Sequence, residues 1–406
     1  MWKLPERKVN LEFILNPFYL YCLAFSLSIF VYLWGWSSIF PQLSISLILF
    51  FSLSFLFFIF AGYIFGKQKF LTLTHHSFSS YINDIIFGLI ILLGLTNVIF
   101  MGYLPILDRL HNYKEFGMPV VDPVFNTMSI FFSVFFFHSY LENNKKRFLI
   151  YVFILLIIQI LIFRRSTIVW IICSSSFLFL LYKRKISSII ILVSIVCIPL
   201  LSYCFGFYGD LRSSLTKPMI INSLGASDNF KKSKISYNHY MTYLYVSSPL
   251  ANLQKNIDEG DGFLNNSDIK DFFFYSLVPV SLTIRLEKSL NLNKPVCNLI
   301  SPELSVGSFY MISFYSLGWP GMIIMLLFLF LFIVFCLFIT KKWVTFSITT
   351  YSILLTTVSL LIFTNFLNRL DVILMLFIYP VLFHFLYIRC NRVSRFSFHN
   401  LLKMKL

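Results

Sequence analysis

The sequence is poor in charged residues, and it keeps those it has out of its long apolar runs. Only 12% of its 406 residues are Asp, Glu, Lys or Arg, whereas 58% are hydrophobic and 50 are Phe. The middles of the apolar runs contain essentially no charge, which excludes the intramembrane ion or proton relay of a coupled transporter. Runs of this length match about 30 Å of hydrocarbon, so the sequence predicts an all-α, polytopic integral membrane protein.

The motifs of several enzyme classes are missing as well. The sequence has no Walker sequence, no HExxH and no DxD-like metal site. Its 7 Cys lie mostly in apolar runs, without a CxxC pair or His at metal-ligand spacing, so we interpret them as small apolar fillers. We therefore expect neither a metal nor a cofactor, and we expect any chemistry to use side chains at the ends of the apolar runs.

Ten apolar runs are predicted to cross the membrane as helices, including a first run that no small-residue cleavage site follows. The predicted spans are 18–36, 43–65, 81–101, 124–141, 148–163, 166–182, 187–207, 320–339, 344–363 and 372–387. Basic residues cluster in alternate connections between these spans, and basic residues next to a span resist translocation. Both termini are therefore predicted to be cytoplasmic. The net charge of +16 is interpreted as this topology signal, so no nucleic-acid partner is expected.

This topology divides the chain into three predicted parts. Residues 1–207 form a bundle of about seven helices, 208–306 form one large loop on the outer side, and 307–406 form about three helices and a cytoplasmic tail. Within the loop, "FFFYSLVPVSLTIRL" (272–286) is too short and too quickly followed by charge for an obvious span. We expect it to be an interfacial or packed helix.

An arginine pair interrupts the apolar pattern in "ILIFRRSTIV" (160–169). The preceding run of 16 residues, 148–163, covers only about 24 Å as a helix, so Arg164 and Arg165 should lie at or just below the outer interface. One interpretation is a snorkelling pair that touches lipid phosphates. The other is a docking point for an anionic headgroup, because guanidinium offers a fixed fork to phosphate oxygens.

Two further arginines are predicted at the outer face. Arg212 follows the seventh span in "FGFYGDLRSS", and Arg369 lies in the turn before the last span. Either could instead be paired locally, with Asp210 or Asp371 respectively. Loop groups that could act as a base are Asp108, Glu115 and Asp122 in the first large outer loop and Glu303 and His239 in the 208–306 loop. A loop carboxylate is more often simply solvated.

Five segments, in this order and on this topology, resemble the bacterial O-antigen polymerases, also called oligosaccharide repeat unit polymerases (Wzy-type). They are "YLPILD...YKEFGMPVVDP" (103–123), "RRSTIVWIICSSSFLFLLYKRK" (164–185), "FGFYGDLRSS" (205–214), "YLYVSSPLANL" (243–253) and "FYSLGWPGM" (314–322). One departure is plain. The family often carries an acidic residue before the glycine in a "DFGxxG" pattern, and here Ser316 and Leu317 precede Gly318.

The resemblance implies a GT-C-like membrane fold related to the O-antigen ligases, and an inverting, metal-independent glycosyltransferase. Its substrate would be an undecaprenyl-diphosphate-linked oligosaccharide at the periplasmic face of the bacterial inner membrane, and a flippase and a chain-length regulator would be expected partners. Arginines stabilise the diphosphate leaving group in this interpretation, with Arg164, Arg165 and Arg212 first and Arg369 second. Glu303 and His239 are the candidate bases, and Tyr240, Tyr243 and Tyr245 either stack on sugars or pack the loop.

Two other function classes fit parts of the sequence. A flippase for the same lipid-linked oligosaccharide would also favour outward arginines, but it predicts polar residues within the spans and short loops. An O-antigen ligase shares the donor and the leaving group, so the sequence separates it poorly from a polymerase. A non-enzymatic scaffold would not need so many spans.

Overall fold

The structure of the protein is a computed structural model. It describes residues 8–10, 13–66, 80–107, 115–183, 185–187, 199–204, 206–207, 221, 223–260, 269–342 and 346–387. Six helices in this part of the chain are long and apolar enough to cross a membrane: Ile45–Phe65, Tyr81–Met101, Val121–Asn143, Arg165–Lys183, Met311–Lys341 and Leu370–Tyr387. The chain is therefore a polytopic membrane protein built from helices.

The elements follow one another in chain order from a short strand at Lys8. They are β1 (Lys8–Asn10), α1 (Pro17–Tyr32), α2 (Ile45–Gly66), α3 (Ser80–Met101), α4 (Val121–Asn143), α5 (Lys146–Leu161), α6 (Arg165–Lys183), β2 (Lys185–Ser187), α7 (Asp228–Lys232), α8 (Tyr237–Glu259), α9 (Ile269–Phe272), the π-helix π1 (Phe273–Leu277), α10 (Val280–Leu286), α11 (Met311–Lys342), α12 (Ser347–Leu360), α13 (Leu370–Ile373) and the π-helix π2 (Leu374–Ile378). The two strands pair antiparallel, with Val9 opposite Ile186.

The helices coincide with most of the runs predicted to be spans. The six candidate spanning helices overlap six predicted spans. The shorter apolar helices α1 and α12 overlap two more, and the 16-residue α5 overlaps the predicted span 148–163. Most of the predicted span 187–207 lies outside the described residues. The number of ten spans and the outer position of the large loop stay predictions.

The chain folds into two compact units, each made of segments that are not consecutive. The first unit comprises Met1–Gln68, Arg184–Ile333 and Thr357–Arg369. The second comprises Lys69–Lys183, Val334–Thr356 and Leu370–Leu406. The division at residues 207 and 306 expected from the sequence follows topology rather than packing, and it stays a prediction.

The core of the first unit is built around α1. The helix begins at Pro17, and the side chain of Asn16 caps it by accepting a hydrogen bond from the Phe18 N–H at 3.0 Å. One turn further on, the buried Tyr21 hydroxyl lies 2.7 Å from the Tyr310 hydroxyl and donates to Ser54 Oγ at 3.2 Å. These bonds satisfy polar groups that would otherwise be stranded in an apolar core.

The core of the second unit is built around α4, which packs against α3, α5 and α6. It is the most buried of the candidate spanning helices, because 72% of the residues in its most apolar 18-residue stretch are buried inside the protein. Five of its Phe side chains are fully buried: Phe125, Phe131, Phe132, Phe135 and Phe136. Hydroxyl pairs also join helices in this unit. Thr127 Oγ1 of α4 lies 2.6 Å from Tyr379 Oη, and Ser174 Oγ of α6 donates to Thr356 Oγ1 of α12 at 2.9 Å. The close packing of α4 fixes its amino-terminal end, which carries Asp122.

Helix α11 is interrupted at Gly318, where the backbone takes φ 63° and ψ −144°, a conformation that residues with a side chain rarely adopt. Pro320 follows, and the bend brings the backbone of the second half against the first. A Cβ added at Gly321 would lie 2.2 Å from the Ser313 carbonyl oxygen. The glycines of the motif "SLGWPGM" are therefore required by a sharp bend and a close backbone approach.

We expect Gly321→Ala to destabilise the protein, because the added methyl group would collide with backbone that cannot move aside. The cost should be about 1–3 kcal/mol, the usual range for overpacking a core. Gly88→Ala in α3 is the matched control, since a Cβ there would meet nothing within 4 Å. Thermal unfolding in detergent should show a lower midpoint for Gly321→Ala only, and equal midpoints for the two variants would contradict this account of the bend.

Candidate functional site

The arginine pair lies at a sharp corner between α5 and α6. The Phe163 N–H donates to the Ile160 carbonyl at 3.1 Å and the Arg164 N–H donates to the Gln159 carbonyl at 3.0 Å, the two bonds of a Schellman motif. Phe163 takes the left-handed position of that motif with φ 57°, which costs a residue with a side chain roughly 1–2 kcal/mol. The corner leaves Arg164 between the two helices and makes Arg165 the first residue of α6.

The Arg164 side chain is held by two oxygens from the segment that leads into α4. Its Nη2 lies 2.5 Å from Asp122 Oδ1 and donates to the Phe116 carbonyl at 3.1 Å. The side chains of Arg164 and Asp122 are only 19% and 15% exposed, so water screens the ion pair weakly. Both contacts use one nitrogen of a group that carries five N–H donors on three nitrogens.

Asp122 is itself positioned by a second layer of contacts. Asn97 Nδ2 donates to Asp122 Oδ1 at 3.4 Å, and Asn97 Oδ1 accepts from the Met118 N–H at 3.0 Å. Gly117 has φ 121°, and a Cβ there would lie 2.5 Å from the Asp122 carboxyl carbon. The carboxylate can reach Arg164 because residue 117 has no side chain. Of the loop carboxylates considered from the sequence, Asp122 is therefore a partner of Arg164, and Asp108 lies outside the described residues.

The amino terminus of α6 adds partial positive charge at the same corner. The first N–H groups of a helix have no acceptor within the helix, and its dipole favours an anion at that end. Here the terminus follows Arg164 directly and carries Arg165 in its first turn, while Thr167 Oγ1 bonds to Asn126 of α4 at 3.4 Å. The corner thus places two consecutive arginines at a helix amino terminus, an arrangement that suits an anionic oxygen ligand.

Neither of the other two candidate arginines is a described residue of the second unit. Arg212 lies outside the described residues. Arg369 belongs to the first unit, is exposed, and has its guanidinium carbon 5.3 Å from the centre of the Phe366 ring, at cation–π distance. Its approach to Arg164 and Arg165, which belong to the second unit, stays a prediction.

The two candidate bases lie in different surroundings in the first unit. His239 is half-buried in α8, with Nδ1 3.0 Å from the Ser202 hydroxyl oxygen. Glu303 is exposed and accepts a hydrogen bond from the Ser301 hydroxyl. That bond holds the pKa of the Glu303 carboxyl below its usual range, which makes the carboxylate a weaker base.

Two of the three tyrosines considered for sugar stacking are part of the core. Tyr240 and Tyr243 are buried in a cluster with Phe230, Leu244 and Leu304, and the Tyr240 hydroxyl donates to the Leu224 carbonyl at 2.9 Å. Tyr245 is half-buried. Packing of the loop is thus the role that the structure gives Tyr240 and Tyr243.

Sequence reasoning missed two acidic residues of the 208–306 region that act on the Tyr275 phenol, Asp271 and Glu287. Asp271 is buried, one of its oxygens accepts from the Asn293 N–H at 3.1 Å, and Asp271 and Tyr275 are four residues apart on one helical face. Burial raises the pKa of the Tyr275 phenol, and the negative charges of Glu287 and Asp271 raise it further. The four-residue spacing in "DFFFY" was the one available signal, and the contribution of Glu287 depends on a fold-back that the sequence does not reveal.

The described residues contain no group of three or more His, Cys, Asp or Glu side chains that could hold a metal ion. Comparison of the chain with models of known families, with curated proteins and with solved structures found no match. Any function assigned to the chain therefore depends on its sequence and on the geometry of the corner.

We expect the Asp122–Arg164 pair to behave as a coupled unit in stability measurements. Arg164→Gln or Asp122→Asn alone leaves one largely buried charge without its partner and should cost up to about 3 kcal/mol. The double variant removes both charges and keeps hydrogen-bonding groups, so it should recover most of the loss. Thermal unfolding of the four proteins in detergent measures this coupling, and additive effects of the two changes would contradict it.

Proposed function

We propose that the protein is an O-antigen polymerase: an inverting, metal-independent glycosyltransferase that transfers a growing glycan from undecaprenyl diphosphate to a new lipid-linked repeat unit. The observation that carries the proposal is the α5–α6 corner, where Arg164 is held between two apolar helices at a helix amino terminus. The order of sequence segments that resemble this family supports it.

The proposed topology has ten spans, both termini in the cytoplasm and residues 208–306 in the periplasm. Its support is the alternation of basic connections along the sequence together with the helices that coincide with the predicted spans. In this arrangement the α5–α6 corner faces the periplasm at the level of the lipid headgroups. The protein would lie in the bacterial inner membrane, where a flippase supplies its substrate and a chain-length regulator acts on its product.

The proposed reaction needs a cation at the leaving group and a base at the acceptor. A hydroxyl oxygen of the acceptor sugar bonds to the anomeric carbon of the donor, the bond from that carbon to the diphosphate oxygen breaks, and its electron pair stays on the diphosphate. Arg164 and Arg165, with Arg212 and then Arg369, stabilise the charge that develops there, since fixed donors cost no reorganisation during the reaction. No metal takes part in this scheme.

The base accepts the proton of the attacking hydroxyl. Of the two candidates, we favour His239, because its bond to Ser202 orients the imidazole ring, whereas the pKa of Glu303 is lowered.

The topology is tested by reporter fusions along the chain. Alkaline phosphatase fused after Asp258 should be active, because it would be exported, and the same enzyme fused after Lys183 or Lys341 should be inactive. A fluorescent protein that matures only in the cytoplasm should give the reverse pattern at the same positions. Active phosphatase at Lys183 would overturn the proposed orientation.

The activity is tested by deleting the gene in its own strain and separating the surface polysaccharide on a gel. Deletion should leave lipid A core that carries a single repeat unit, because ligation continues without polymerisation. An unchanged ladder would overturn the proposed function, and complete loss of repeat units would indicate a flippase or a ligase instead.

The role of Arg164 is tested by complementation with the Asp122→Asn/Arg164→Gln double variant. This variant removes the guanidinium without stranding the carboxylate, so it should reach the membrane and still fail to restore the ladder. Arg147→Ala is the control, because Arg147 forms a longer and more exposed ion pair with Asp84, at 3.3 Å, near the other end of α5. Arg147→Ala should restore a normal ladder. A normal ladder from the double variant would show that Arg164 serves only the fold.

A further inference from the structure

The segment from α9 through π1 to α10, residues 269–286, presents apolar side chains outward. Six large apolar residues in it are between 39% and 71% exposed: Ile269, Phe273, Val280, Leu282, Ile284 and Leu286. Such a surface in water would be an aggregation hazard or an interaction site. Its exposed residues resemble the outer face of the spanning helix α2, where Leu49 and Leu56 are 57% and 64% exposed.

Helix α10 has the opposite pattern of burial from a helix on the surface of a water-soluble protein. Its one fully buried side chain is Thr283, whose hydroxyl donates to the Phe274 carbonyl at 2.7 Å. Its Val, Leu and Ile side chains point away from the protein. A helix that buries its hydroxyl and exposes its aliphatic residues is suited to hydrocarbon surroundings, in which polar groups need internal partners.

The 269–286 segment is anchored to the turn that follows the apolar helix α12. Asn365 Nδ2 donates to the Ser276 carbonyl at 2.7 Å, and Asn368 Nδ2 donates to the Tyr275 carbonyl at 2.9 Å. The Val280 N–H donates in return to the Asn368 carbonyl at 2.8 Å. Asn368 is two residues before the candidate spanning helix Leu370–Tyr387, so these bonds hold the segment against the stretch of chain that leads into a candidate span.

The charges of the segment match that location. Lys270 and Arg285 are exposed near its two ends, and Lys288 is exposed two residues beyond it, while Lys270 Nζ also donates a hydrogen bond to the Leu290 carbonyl. The carboxylate of Asp271, in the same segment, is buried. Long basic side chains beside an apolar face extend to lipid phosphates while their stems stay in the apolar layer.

We infer that residues 269–286 form an interfacial element whose partner is the bilayer itself, with α10 immersed among lipid chains and its basic residues at the phosphates. The element does not span the membrane. It ties the region between α8 and α11 to the membrane surface. This inference needs only that the chain is a membrane protein and does not depend on the proposed activity.

Site-specific photo-crosslinking in native membranes tests the inference. Benzoylphenylalanine is placed at Ile284 in the full chain, and at the exposed Lys294, eight residues after α10, as the control. After illumination, mass spectrometry should find phospholipid adducts at position 284 and at least tenfold fewer at position 294. A protein adduct at position 284, from another chain or from a second copy, would overturn the inference, as would equal lipid labelling at both positions.

A second position keeps the test decisive if the Ile284 variant does not accumulate in the membrane. Leu282 is also exposed on α10. If lipid surrounds the helix, the larger benzoylphenylalanine side chain fits at this position without displacing another side chain. Lipid adducts at position 282 support the same inference, and the absence of lipid adducts in a protein that reaches the membrane normally contradicts it.

Discussion

Polar groups in hydrocarbon must find their partners inside the protein, and this requirement governs the structure at every level. Within helices, hydroxyls turn back to their own backbone: Ser52 donates to the Ile48 carbonyl at 2.8 Å, and Thr96 donates to the Leu92 carbonyl at 2.6 Å. Charged side chains at the two ends of α5 also have partners within the protein, because Arg147 forms an ion pair with Asp84 and Arg164 forms one with Asp122. Where the segment 269–286 reaches the surface, asparagine amides and one threonine satisfy carbonyls that would otherwise face an apolar layer.

The Asp122–Arg164 pair sets a specific condition on anything that binds at the corner. A ligand anion would face a guanidinium whose charge is already partly neutralised, so it would gain less attraction than it would from a free arginine. The gain would come instead from geometry, because the pair, the Asn97 amide and the Schellman turn hold the remaining N–H donors in fixed directions. Such a site favours a ligand whose shape and charge match the fixed donors over other anions.

The helices follow from the sequence because apolar runs in this chain are long and cleanly bounded, and the membrane fixes how long a helix must be. The corner was also predictable as a tight turn, since the run before Arg164 is short for a span. The partner of Arg164 could not be predicted from the sequence. Asp122 is 42 residues earlier in the chain, and periodicity carries no information about which of several loop carboxylates packs against which arginine. For the same reason the sequence does not decide between an interfacial and a packed helix for the segment 269–286, because its asparagine anchors are about 90 residues away in the sequence.

The contact between Gly117 and Asp122 also limits which substitutions the corner can accept during evolution. Any side chain at position 117 would occupy the space that Asp122 needs in order to reach Arg164. Substitutions at these three positions are therefore expected to occur together. A true relative that keeps the corner should therefore show glycine, then an acidic residue five positions later, then an arginine at the end of the following helix pair.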